Sequence, residues 1–161
     1  MIVLGIDPGT ARMGYCVIQV LAKGKSRLLE TDVLVTKPDL DHHMRLKVLY
    51  NGLNALVKKY SPEVMVIERI FFNTNAKTAI SIGEARGISL LAAAKGNLKV
   101  FEYTALEAKL VLTGYGRSDK KVMQEAVKNA LGLEKIVKSD DANDAVAIAL
   151  CFQKKDYKKL K

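Results

Sequence analysis

The chain opens with Met1-Ile2-Val3-Leu4-Gly5-Ile6-Asp7-Pro8-Gly9-Thr10, an apolar run that ends at an aspartate and a turn. Such a run is typical of a buried strand, and proline followed by glycine is typical of a turn. Further strand-like stretches follow at about residues 14–20 and 27–36. Because only short connections join them, we expect an antiparallel meander of three strands at the start of the fold.

The rest of the chain alternates between helical and strand patterns. Apolar residues three and four apart predict a helix up to residue 60, and the unbroken run Val64-Met65-Val66-Ile67 predicts a central parallel strand. Beyond it we predict a helix at 75–95, a strand at 98–103, and helices at 106–112, 119–131 and 142–152. The order βββαβαβααα indicates a single α/β domain over residues 1–161, with one mixed five-stranded sheet and helices on both faces.

The composition indicates a basic, folded protein. The 161 residues include 26 lysines and arginines against 17 acidic residues, a formal net charge of +9. That balance favours a polyanionic partner such as nucleic acid, although a lysine-rich solubilising surface would give the same charge. With no basic leader and no long apolar run, we expect a cytoplasmic protein without a membrane partner. The basic end, about residues 154–161, is expected to be a frayed tail.

Two acidic residues end the two strands that should lie at the centre of the sheet. Asp7 closes the first strand, and Glu68 directly follows Val64-Met65-Val66-Ile67. Carboxylates that lie together and are partly buried repel each other, so such a pair needs either raised pKa values or a bound cation. A cation is the simpler interpretation.

A third group of acids precedes the last apolar helix, in Ser139-Asp140-Asp141-Ala142-Asn143-Asp144. Asp141 and Asp144 are three residues apart and share a helix face, but Asp140 and Asp144, four apart, do so as well. Spacing alone does not choose between Asp140 and Asp141. Serine and aspartate at a helix start also cap free N–H groups without any catalytic role.

An all-oxygen ligand set favours a hard divalent cation. Aspartate and glutamate without a histidine or cysteine partner suit Mg²⁺ or Mn²⁺ rather than zinc. A site with four carboxylates can hold two such ions about 4 Å apart, the arrangement used for in-line cleavage of phosphodiesters. An acidic site in a basic protein therefore points to metal-dependent hydrolysis of nucleic acid.

Four motifs together resemble the RuvC Holliday-junction resolvases. These are Gly5-Ile6-Asp7-Pro8-Gly9-Thr10, Ile67-Glu68-Arg69-Ile70-Phe71, Gly83-Glu84-Ala85-Arg86-Gly87 and Asp141-Ala142-Asn143-Asp144-Ala145. The resemblance extends almost from end to end. It implies an RNase H-like fold, a homodimer, and symmetric Mg²⁺- or Mn²⁺-dependent cleavage of four-way DNA junctions in recombination and repair. It makes Asp7, Glu68, Asp141 and Asp144 the catalytic, metal-binding acids, and so chooses Asp141 over Asp140.

The resemblance also implies DNA contacts and protein partners. Lys109 and Lys120 match basic positions near the cleaved strand, and Phe71 matches an aromatic residue that stacks on junction bases. Arg117, in the polar loop 113–118, and Lys121, beside Lys120, are further candidate DNA contacts. Enzymes of this family act with a branch-migration motor of two other proteins, of the RuvA and RuvB type.

Three other functions fit part of the sequence. The first motif also resembles the phosphate loop of actin-like ATPases and sugar kinases, but those folds need two such domains. An RNase H-fold nuclease of the YqgF type, acting on RNA, would share the first strand but not the later motifs. A junction-binding module without catalysis would have no need of all four acids.

Overall fold

The computed structural model describes residues 1–69 and 76–160. The order of the ten main elements agrees with the predicted order, and two short 3₁₀ segments, Ala22–Gly24 and Tyr157–Leu160, are added to it. The elements are β1 (Ile2–Asp7), β2 (Arg12–Val20), β3 (Ser26–Val35), α1 (His42–Tyr60), β4 (Val64–Glu68), α2 (Ala76–Lys95), β5 (Lys99–Tyr103), α3 (Ala105–Thr113), α4 (Lys120–Leu131) and α5 (Asp140–Lys155). No helix in the described ranges is long and apolar enough to cross a membrane.

One five-stranded sheet organises the chain, in the order β3-β2-β1-β4-β5. The β1–β2 and β2–β3 pairs are antiparallel, whereas β1–β4 and β4–β5 are parallel. The predicted mixed sheet is thus confirmed. Ile6 pairs with Ile67 in the parallel β1–β4 ladder, so the residues that follow them, Asp7 and Glu68, end neighbouring strands at the same edge of the sheet.

Helices cover both faces of the sheet, as predicted. Alternate residues along β1 point to opposite faces: Val3 joins the core beneath α3, α4 and α5, while Leu4 joins the core beneath α1 and α2. Helix α5 is buried on almost every side because it lies across β1 and β2 and is flanked by α3 and α4. Cys16 and Cys151 are buried in the same core.

The end of the chain packs more closely than the frayed tail that we expected. The Tyr157 side chain is buried, and Tyr103 donates a hydrogen bond from its hydroxyl to the Asp156 carboxylate. Apolar contacts of Tyr157 and Leu160 with the α5 side of the core fold residues 156–160 back onto the protein. Lys154 and Lys155 belong to α5, and Lys158 and Lys159 lie on the 3₁₀ turn that follows it.

Candidate metal centre

Asp7 and Glu68 form the inner part of the site. Burial raises the pKa of both carboxyl groups, and the charge of Glu68 raises the pKa of Asp7 further. The two groups share a hydrogen bond that favours the protonated form of Asp7 and the ionised form of Glu68. Two ionised carboxylates could not form this bond because neither has a donor. The pair therefore carries less negative charge in the absence of a cation than two free carboxylates would.

The start of α5 brings Asp141 and Asp144 to this pair. Ser139 caps the helix by accepting a hydrogen bond from the Ala142 N–H at 3.5 Å. Both aspartates raise the pKa of Asp7 through their charges, and burial raises the pKa of Asp144 itself. The structure thus brings together the four predicted acids, Asp7, Glu68, Asp141 and Asp144, which we call the acidic cluster.

Asp140, which spacing alone could not exclude, has a different environment. Its carboxylate accepts a hydrogen bond from Lys120 Nζ at 2.5 Å, and its side chain is about half exposed. Its charge raises the pKa of Asp144, so it lies near the acidic cluster. Asp141 differs from it because the charge of Asp141 acts on Asp7 as well as on Asp144.

Three cationic side chains surround the acidic cluster. Burial raises the pKa of Glu68 and of Asp144, and the positive charge of Lys109 offsets part of this rise in both. Lys120 pairs with Asp140, and both lysines line a cavity of about 140 Å³ beside Asp144. The two lysines predicted from the resemblance are therefore at the site.

The third cation, Arg12, was not predicted from the sequence. Its Nε donates to Asp141 Oδ2 at 2.7 Å, and its Nη2 donates to Ser139 Oγ at 3.4 Å. The predicted second strand began only at about residue 14, whereas β2 begins at Arg12, directly beside the end of β1. Without the position of α5 over that strand, however, nothing connected Arg12 with Asp141.

The carboxylate oxygens of the acidic cluster are suitable ligands for a hard cation, but they do not converge on one point. Among the described residues, no three Asp, Glu, His or Cys side chains converge on one point as metal ligands would. Asp7 and Glu68 instead bond each other, and Asp141 bonds Arg12. Burial and nearby negative charge raise the pKa of Asp7, Glu68 and Asp144. A bound Mg²⁺ or Mn²⁺ would compensate the negative charge that these carboxylates carry when ionised.

The other predicted DNA contacts do not line the cavity beside Asp144, or lie outside the described residues. Arg117 is exposed in the loop before α4, which is held together by a hydrogen bond between the Thr113 and Ser118 hydroxyls at 2.7 Å. Lys121 lines a different groove, with Glu125 and Lys154. Phe71 lies outside the described residues.

Known proteins resemble this chain along almost its whole length. The family model described as "Crossover junction endodeoxyribonuclease RuvC" matches residues 3–152. Proteins of that name from Desulforamulus reducens and Caldanaerobacter subterraneus subsp. tengcongensis are 48% and 46% identical to it over 151 residues. These matches cover 94% of this chain and 92% and 91% of the two relatives.

A solved structure also resembles this chain along almost its whole length. The structure of Thermus thermophilus RuvC in complex with Holliday junction substrate has a TM-score of 0.90 and 30% identity to this chain. The match covers 96% of this chain and 93% of that one. The predicted RNase H-like fold is confirmed by this likeness. This chain therefore belongs to the RuvC family of crossover junction endodeoxyribonucleases.

Proposed function

We propose that the acidic cluster holds the divalent ions with which this nuclease cleaves DNA. As a crossover junction endodeoxyribonuclease of the RuvC family, the protein resolves Holliday junctions by hydrolysing phosphodiester bonds. The observation that carries the proposal is the partly buried pair of Asp7 and Glu68, whose pKa values are raised by burial. Such a pair is costly for a fold unless a cation compensates it, which supports a metal-binding role.

The chemistry divides between the bound ions and the surrounding cations. Mg²⁺ or Mn²⁺, when bound, would activate water and stabilise the developing charge on phosphate, with two ions per site as the proposed arrangement. Lys109 and Lys120, beside Asp144, would attract and orient the strand to be cut. Asp7, Glu68, Asp141 and Asp144 would all be ionised in that state.

The DNA path proposed from these residues runs along the edge of the sheet. Lys109 and Lys120 would contact the cleaved strand. Arg117, in the loop before α4, would contact neighbouring phosphates of the DNA backbone. Lys121, in its own groove, would contact a more distant arm. Phe71 would stack on a base of the junction, a role that rests on the family resemblance alone.

We also propose that two copies of the chain form the active enzyme, through one face of α2. Its exposed apolar residues are Ile80, Leu90 and Leu91, which are 71%, 37% and 50% exposed. Gly83 and Gly87 lie between them on the same face, and apart from the adjoining backbone of α2 no described atom comes within 4 Å of a Cβ built on either glycine. Each glycine inside a helix costs about 1 kcal/mol relative to alanine, so close packing against a neighbour is expected to compensate it. The described part of the sheet does not provide that neighbour. A second copy is the occupant that fits, because a symmetric junction has two equivalent bonds to cut.

Two further proposals follow from family membership. A branch-migration motor of the RuvA and RuvB type would bring the junction to the enzyme. The relatives named above are bacterial, and the bacterial chromosome lies in the cytoplasm, which supports the cytoplasmic location expected from the sequence.

The proposed site is tested by comparing two neighbouring aspartates. We would measure cleavage of a synthetic four-way junction, a duplex and an RNA hairpin, with Mg²⁺, with Mn²⁺ and with a chelator. Asp141→Asn should abolish junction cleavage while keeping junction binding, whereas Asp140→Asn, the matched control, should leave most of the cleavage. Equal effects of the two substitutions, or cleavage that survives the chelator, would contradict the proposed ligand set. Faster cleavage of the RNA hairpin would instead support an RNA nuclease.

A further inference from the structure

Arg12 places a positive charge directly on one member of the acidic cluster. It is the first residue of β2, and its guanidinium bonds Asp141 Oδ2 at 2.7 Å and Ser139 Oγ at 3.4 Å. The side chains of Arg12 and Asp141 are 52% and 32% exposed, so both can be reached from solvent. A cation and a proposed metal ligand are therefore in contact at the open edge of the site.

The fold does not depend on this contact. The turn before Arg12 is held by a backbone hydrogen bond from the Thr36 N–H to the Ala11 carbonyl at 3.1 Å, and Arg12 itself pairs with Val35 in the sheet. Ion pairs as exposed as this one contribute little to stability. The contact therefore matters chiefly for the charge and the availability of Asp141.

A divalent ion and Arg12 compete for the same carboxylate. Arg12 engages Oδ2 and holds the side chain of Asp141 in one orientation. An ion bound at Asp141 would also face the positive charge of the guanidinium. Coulomb repulsion between the ion and the guanidinium, and their competition for the same carboxylate oxygen, both favour separation of Arg12 from Asp141. Metal binding should therefore release Arg12.

We propose that Arg12 is an internal counter-ion of Asp141, that its ion pair with Asp141 breaks when a metal ion binds, and that Arg12 then binds a phosphate of the junction. The inference rests on the proposed metal site. A guanidinium matches a phosphate through paired N–H donors, and its position puts a cation next to Asp141, while Lys109 and Lys120 lie beside Asp144. Metal would thereby strengthen DNA binding, and DNA would strengthen metal binding by the same factor.

The test uses Arg12→Gln, with Arg27→Gln as the matched control. Arg27 is exposed on β3 and pairs with Gln19, at the opposite end of the β2–β3 ladder from Arg12 and Val35. Both substitutions remove one positive charge. Thermal unfolding of each variant without metal confirms that it is folded. Arg12→Lys, which keeps the charge, provides the second comparison.

Mn²⁺ binding without DNA is measured by electron paramagnetic resonance. Arg12→Gln should bind Mn²⁺ about fivefold more tightly than the wild type, as expected when an exposed ion pair no longer competes. Arg27→Gln and Arg12→Lys should remain close to the wild type. Unchanged or weaker Mn²⁺ binding by Arg12→Gln would overturn the inference.

Junction binding is then measured by fluorescence anisotropy with Ca²⁺ and with a chelator. Ca²⁺ should increase the affinity of the wild type and of Arg27→Gln more than that of Arg12→Gln, because only Arg12 is released by the ion. An equal increase in all three proteins would overturn the inference. If Asp141→Asn and the wild type bind Mn²⁺ equally, the proposed metal site itself fails, which distinguishes the two failures.

Discussion

Gly14 lies so close beneath Asp141 that a Cβ atom on Gly14 would come within 1.9 Å of the Asp141 carbonyl oxygen. A similar approach occurs at Gly5, where a Cβ would lie 2.4 Å from the carbonyl oxygen of Ala145. These two glycines, on adjacent strands, let α5 rest directly on the sheet backbone. The position of Asp141 and Asp144 beside Asp7 and Glu68 depends on this close contact.

We predict that Gly14→Ala displaces the start of α5 and damages both stability and cleavage. Backbone atoms must move to admit the methyl group, a change that should lower the free energy of unfolding by about 3 kcal/mol. Urea unfolding measures the loss. Gly87→Ala is the control, since apart from the adjoining backbone of α2 nothing described lies within 4 Å of a Cβ at this position. Alanine also stabilises a helix by about 1 kcal/mol relative to glycine. Equal stability of the two variants would contradict the proposed role of Gly14.

We predict that Asp7→Asn stabilises the metal-free protein while abolishing cleavage. Burial and the charges of Glu68, Asp144 and Asp141 raise the pKa of Asp7, so the folded state resists its ionisation. Wild-type stability should therefore fall as pH rises above the ordinary aspartate value of about 4, and the asparagine variant should lose less. At pH 8 we expect a gain of about 1–3 kcal/mol, measured by urea unfolding in chelator.

Metal should reverse the order of stability of the wild type and Asp7→Asn. Mg²⁺ should raise the melting temperature of the wild type, because an ion that binds only the folded state stabilises it, but it should have little effect on Asp7→Asn. A wild-type melting temperature that is unaffected by Mg²⁺ or Mn²⁺ at millimolar concentrations would argue against Asp7 as a ligand.

The sequence was sufficient for the sheet and for half of the site, because strand ends are easy to locate. Asp7 and Glu68 each terminate an apolar run, and parallel neighbours bring such ends together. The choice between Asp140 and Asp141 depends on the rotation of α5, which the packing against Gly14 sets and which spacing does not encode. The contact of Arg12 with Asp141 joins residues 129 positions apart, so no local pattern predicted it.

We predict that Lys120→Ala weakens cleavage and makes junction binding less dependent on salt. Lys120 borders the cavity beside Asp144, whereas Lys121 lines a separate groove near Glu125. Loss of one phosphate contact should reduce the slope of log affinity against log salt by about 1. Lys121→Ala provides the comparison, and we expect a smaller loss of cleavage from it. A larger loss at Lys121 would mean that the strand follows the other groove.

We predict that Glu30→Gln destabilises the protein in a pH-dependent manner. Glu30 accepts hydrogen bonds from Lys59 Nζ at 2.5 Å, from the Tyr60 hydroxyl, and from the Tyr15 hydroxyl at 2.8 Å. The bond from Lys59, followed by that from Tyr60, lowers the pKa of Glu30 to about 2. Because the folded pKa lies below the unfolded one, this stabilisation is complete above about pH 4.5 and is lost as pH falls toward 2.

At pH 7 the glutamine variant should be less stable by about 1–2 kcal/mol, after allowing for the partial exposure of the cluster. Urea unfolding at pH 7 and pH 3 checks this, and the difference between wild type and variant should shrink at the lower pH. A difference that stays constant with pH would assign the loss to packing rather than to charge.

We predict that Gly87→Leu prevents two copies from associating through α2 without unfolding the chain. In a single copy the leucine would extend into open space, since apart from the adjoining backbone of α2 no described atom lies within 4 Å of the added Cβ. Against a second copy it would force the helices apart, as a large side chain does between closely packed backbones. Sedimentation velocity should show a dimer for the wild type and for Gly87→Ala, and a monomer for Gly87→Leu. Because a symmetric junction needs two cuts, the leucine variant should also lose paired cleavage and leave singly nicked junctions. A dimeric Gly87→Leu protein would exclude this face of α2 as the interface.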